Sequence, residues 1–131
     1  MSAGLKPLRR PKLWLSLWGV AIVALIVVCL VPLGSLPPLP DNSDKLEHLI
    51  GYFVLSAAAV QLFANRRALS LAAMGLILLG IGIEIAQGYT AYRSSDPADA
   101  LANTLGVLLG MATALTPWRD LLLRVEQRLP W

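Results

Sequence analysis

At 131 residues, 56% hydrophobic and only 15% charged, the chain is long enough for one domain and too apolar to clothe an ordinary soluble one. Its net charge of +3 and mean hydropathy of +0.65 do not mark a nucleic-acid binder, because the basic residues lie between apolar runs and form no patch. A single cysteine, Cys29, excludes an intramolecular disulfide; inside an apolar run it reads as a small apolar side chain facing lipid or a neighbouring helix, not a reactive thiol.

Four apolar segments follow in order, each close to the ~20 residues that cross a ~30 Å hydrocarbon core. The first, about 13–31, carries no charge. Lys6, Arg9, Arg10 and Lys12 precede it as they would a signal peptide. Its apolar run is long for such a signal, however, and Pro32 to Pro37 offers no small-residue cleavage site, so a retained span is expected. Pro32, Pro37, Pro38 and Pro40 then forbid helix and predict an extended strap. The second span, about 46–63, opens on Glu47, His48 and Tyr52. After a turn at Asn65-Arg66-Arg67, the third, about 69–89, is interrupted by Glu84 and Gln87. The fourth, about 98–116, carries Asp99 and Asn103 near its start. Beyond Pro117, the residues Trp118, Leu121, Leu122, Val125 and Leu129 share one helical face. They predict an amphipathic helix over about 118–129 that lies on the membrane surface or packs on a partner. The predicted fold is all-α: one membrane domain over residues 1–131, a bundle of four transmembrane helices with a C-terminal interfacial helix.

Orientation follows from the basic residues. With the N-terminus inside, Lys6, Arg9, Arg10, Lys12, Arg66, Arg67, Arg119, Arg124 and Arg128 fall on the inner side and only Lys45 and Arg93 on the outer. Nine against two predicts N-in and C-in. Trp14, Trp18, Trp118 and Trp131 then map to the inner interface, and Tyr89 and Tyr92 to the outer one, as aromatic belts would.

Helices of alternating direction bring the start of the second, the end of the third and the start of the fourth together on the outer side. Asp44, His48 and Tyr52 recur every four residues and share a face, with Lys45 beside them. Glu84 and Gln87 are helical neighbours on the third span; Asp99, Asn103, Gly106 and Gly110 line a stripe on the fourth. Together they predict a polar pocket open to the outside. A charge at mid-membrane costs about 2.5–3.5 kcal/mol even on insertion scales, so Glu84 must face the bundle interior and a partner. That partner is left open among His48, Lys45, Arg93 and a bound proton. Asp96 before Pro97 reads as a helix cap, and Ser56, two turns below His48, as a hydroxyl bonded to its own helix. Ala102, Gly106, Gly110 and Ala114 mark a close helix-packing face, within the chain or in a homodimer. One histidine and no firm ligand spacing give no reason to expect a metal or other cofactor.

The ordered set Asp44-Lys45-x-x-His48, Tyr52-Phe53, Glu84-x-x-Gln87, Arg93, Asp99 and Asn103-x-x-Gly106 resembles the VanZ-like family of bacterial membrane proteins, over about half the chain. The resemblance implies a four-helix protein of the bacterial cytoplasmic (inner) membrane. The family's named member is linked to low-level resistance to teicoplanin, a glycopeptide that attacks cell-wall precursors. Three functions fit these residues. The expected one is binding of an envelope lipid or lipid-linked wall precursor, with Asp44, Lys45, His48, Tyr52, Glu84, Gln87, Arg93, Asp99 and Asn103 as the ligand-binding set and the bilayer as the other partner. The second is an intramembrane enzyme using His48 as acid or base with Glu84 or Asp99 orienting it, although no nucleophile is identifiable. The third is a scaffold whose polar residues only fasten helices. A proton-coupled transporter is disfavoured, because the ionisable groups are confined to the outer half.

Overall fold

Proline pre-sets the helical φ and lacks the N–H that a first turn cannot use, and two of the long helices begin on one. In the computed structural model, which describes residues 4–30, 43–89 and 97–130, these are α1 (Pro11–Leu30) and α4 (Pro97–Ala112). Between them come α2 (Ser43–Leu62) and α3 (Arg66–Gln87), and a short α5 (Leu121–Arg128) follows. The proline strap, Arg93 and Asp96 lie outside the described residues. Asn65, in an extended conformation, caps α3 by accepting the Ala68 N–H at 2.8 Å.

The first three helices begin two or three residues before their apolar runs, at Pro11, Ser43 and Arg66. Hydropathy marks only the apolar stretch, whereas the opening turns are made by charged residues such as Lys12 and Arg67. The fourth run ends differently from expectation. α4 stops at Ala112, and Thr113–Leu115 tightens into a 3₁₀ turn. Thr113 Oγ1 donates to Gly110 O and Thr116 Oγ1 to Thr113 O, both at 2.6 Å, and Pro117 has no N–H with which to continue. Thr116 then caps a second 3₁₀ turn, Pro117–Asp120, so the tail helix starts at Leu121 and not at 118.

α2 is the axis of the bundle and contacts each of the other four helices. α1 runs antiparallel to it: the Trp18 indole donates to Leu55 O at 2.9 Å, while Leu25 reaches Gly51 further along. α4 runs parallel to α2 and almost touches its backbone. A methyl group on Gly106 would sit 2.5 Å from Leu49 O, and one on Gly110 2.5 Å from Ser56 Cβ, so only glycine permits this approach. Ser56 Oγ donates to Val107 O across this seam at 2.6 Å, which corrects the expectation that it bonds within its own helix. Tyr52, Leu55, Leu76 and Val107 form the enclosed core, with Trp18 and Ile22 packed against it.

Outside that core the bundle shows water-averse side chains on its surface. Leu17, Val20, Val23 and Val27 on α1 and Leu71, Met74, Leu78 and Ile85 on α3 are all exposed. Three helices, Pro11–Leu30, Arg66–Ala86 and Pro97–Leu115, are long and apolar enough to cross a membrane. α2 is as long as α1, but its charged opening leaves Leu46–Leu62 as the apolar part. An exposed apolar surface on helices of this length is that of a membrane protein.

Candidate functional site

Two polar regions lie at opposite ends of the bundle. At the end where α2 and α4 begin, His48 and Tyr52 on α2, Glu84 on α3, and Asp99 and Asn103 on α4 are all buried. Their relative heights follow from close contacts. A methyl on Gly80 would lie 3.1 Å from Asn103 Nδ2, so Asn103 rests on the bare backbone of α3. Glu84 lies one turn beyond Gly80, and Asp99 one turn before Asn103. Because α3 runs antiparallel to α4, the two carboxyl groups stand at the same level, one turn above that contact. Gly106 against Leu49 and Tyr52 sets α2 in the same frame, with His48 one turn before Tyr52 on a shared face.

Five of the nine expected residues therefore stand on three helices at this end, and these five are enclosed. Tyr52 is 1% exposed and Asn103 2%. Asp44 and Lys45 belong to α2 and Gln87 ends α3, but their side chains, like the whole of Arg93, lie outside the described residues. Among the described residues, His48 Nδ1, Tyr52 Oη and Asn103 Oδ1 meet no hydrogen-bond partner. A buried polar atom left unpaired costs about 1–3 kcal/mol, so three in one place call for an explanation. Chemically the group offers an imidazole, a phenol, a carboxamide and two carboxyls in a confined space. That is a set able to hydrogen-bond a polar head group from several sides.

The second region, at the opposite end, was not foreseen as a site. Glu126, on α5, is 0% exposed, and its carboxylate accepts from the backbone N–H groups of Arg9 and Arg10 and from Trp14 Nε1 at 2.6 Å. It thereby ties the two residues that lead into α1 to the tail, more than a hundred positions away. Arg9 returns the contact by donating to Glu126 O at 3.1 Å and Leu129 O at 2.8 Å. Gln61 joins α2 to the tail, donating to Trp118 O and accepting from Leu122 N, both at 2.9 Å. Lys6 is buried, donates to Arg119 O and pairs with Asp120 at 3.0 Å. The Lys6 ammonium holds the Asp120 carboxyl below its ordinary range. Burial pushes the Glu126 carboxyl up, but the Arg9 amide, the Trp14 indole and the Arg10 amide together bring it below its ordinary value. The one available signal was that Glu126 shares a helical stripe with Leu122 and Leu129, an acid on an apolar face.

A family model described as VanZ/LLP1 matches residues 12–119, which include every residue of the first cluster. The chain belongs to the VanZ/LLP1 family. The VanZ/LLP1 match begins after Lys6 and Arg9 and ends before Glu126. An uncharacterized protein of the fission yeast Schizosaccharomyces pombe is 31% identical over 96 residues, covering 71% of this chain. The chain spans 59% of that relative's length. No solved structure matches the chain.

Proposed function

We propose that this VanZ/LLP1 protein crosses the cytoplasmic membrane of a bacterium four times, N-in and C-in, and binds the polar head group of an envelope lipid in its outward-facing cluster. The observation that carries the binding is the set of enclosed atoms His48 Nδ1, Tyr52 Oη and Asn103 Oδ1, unpartnered among the described residues and gathered at one end of the bundle. A head group entering there would complete their hydrogen bonds and remove the penalty of burying them alone. Lys45, just before His48, and Arg93, between Glu84 and Asp99 in sequence, supply the cations that a phosphate or carboxylate would seek. The orientation is supported by the gathering of the N-terminal segment, the α2–α3 turn and the tail, with nine of the eleven basic residues, on one side.

A wall precursor is the ligand that would connect the site to teicoplanin resistance. Lipid analysis of the purified protein beside His48→Ala and Glu84→Gln tests the reading. Wild type should retain a lipid class enriched over the bulk membrane, and both folded variants should lose it. Identical bulk lipid in all three would leave the cluster a helix fastener and the reading wrong. Orientation is tested separately: cysteines at Ser43 and Ser95, on a Cys29→Ser background, should label only from outside the cell.

A further inference from the structure

A pocket opens at the basic end, independent of the cluster just described. A cavity of about 290 Å³ lies between the N-terminal segment, the α2–α3 turn and the turn that follows α4. Val60, Phe63 and Leu69 make its apolar wall, and Lys6, Arg119 and Asp120 its polar one. The charges do not balance. One carboxylate, Asp120, serves two cations: Lys6 Nζ at 3.0 Å and Arg119 Nε at 3.6 Å. Lys6 is buried and pinned, while the Arg119 side chain is 64% exposed at the mouth. Among the described residues one positive charge is left over beside an apolar wall, at the end of a membrane bundle that also carries Arg66 and Arg67 at the start of α3.

We infer that this cavity is a site for one acidic phospholipid, its phosphodiester facing Arg119 and Lys6 and an acyl chain lying along Val60, Phe63 and Leu69. A phosphodiester carries the single negative charge that the two-cation, one-anion set lacks. Basic pockets between membrane helices take such head groups for this reason. The apolar wall favours a lipid over free phosphate, which would leave that wall facing water.

Native mass spectrometry of the full chain from micelles holding equal phosphatidylglycerol and phosphatidylcholine tests the site. Wild type should retain phosphatidylglycerol in preference. Arg119→Gln should lower the ratio of the two adducts about fivefold, the change expected for one cation at a membrane surface. Asp120→Asn, which keeps an acceptor for Lys6 but removes the competing charge, should raise it. Arg128→Gln, an exposed cation on the tail, should leave it unchanged. Opposite responses at neighbouring positions distinguish a charge-matched site from a structural one, in which both substitutions would lower retention. Equal retention of the two lipids by wild type, an equal loss in Arg128→Gln, or displacement of the lipid by inorganic phosphate alone would each overturn the inference.

Discussion

Glu126 and Tyr52 are both almost wholly enclosed, at opposite ends of one bundle, and they differ in what meets them. Around Glu126 the hydrogen-bonding is complete: two backbone amides and an indole converge on the carboxylate, and Arg9 closes the carbonyls behind it. Around Tyr52 it is not: the phenol, the His48 Nδ1 and the Asn103 Oδ1 find no partner among the described residues. A completed polar network in a low-dielectric interior holds a structure together, whereas an incomplete one costs free energy until something completes it. The basic end is therefore the clasp that joins the two termini of the chain. On the function proposed above, the opposite end keeps its polar atoms for a ligand.

That contrast is exposed to test at several points. Glu126→Gln would set an amide against three converging donors and remove a charge-assisted acceptor. It should destabilise the protein by about 3 kcal/mol or more, read as a lowered thermal midpoint in detergent. A loss no greater than that of a surface substitution would remove the distinction between the ends. The same carboxylate predicts an acid limit. Its folded value lies below the unfolded one, so its contribution is full above about pH 4.3 and fades as the pH falls through the lower folded value. The thermal midpoint should hold between neutral pH and about pH 5, then drop in acid, and Glu126→Gln should flatten that drop. Gln61→Ala removes one donated and one accepted hydrogen bond to the tail and should cost about 1–2 kcal/mol, with faster proteolysis of the tail as a second readout. Tyr52→Phe deletes a buried hydroxyl that bonds nothing described, and in the protein stripped of lipid it should raise stability by about 1 kcal/mol as that burial penalty is removed. A large loss there would mean that the phenol belongs to the fold.

Much of this architecture was legible in the residues. Apolar runs of about span length announced the helices. The recurrence of His48 and Tyr52 four residues apart, with Glu84 isolated among aliphatics, announced a shared polar face. The Gly106 and Gly110 stripe announced a close approach, but not that it meets the backbone of α2 in the same chain. The contact of Asn103 with Gly80, which sets the heights of Glu84 and Asp99, has no local pattern to betray it. The clasp was hidden for the same reason. Lys6 and Arg9 looked like topology signals and the tail like a surface helix, because their bonds join residues more than a hundred positions apart. Ser56 was misjudged because a helical hydroxyl can serve its own helix or a neighbour, and only packing decides.

The most direct measurement sets the two ends against each other in one experiment: retained lipid and thermal midpoint for Tyr52→Phe and Glu126→Gln beside wild type. Tyr52→Phe, stripped of lipid, should melt no earlier than stripped wild type, and before stripping it should lack the lipid held at the end where α2 and α4 begin. Glu126→Gln should melt earlier and, while folded, keep that lipid. If Tyr52→Phe melts early with its lipid retained, or Glu126→Gln loses the lipid without a loss of stability, the division of labour between the two ends is wrong.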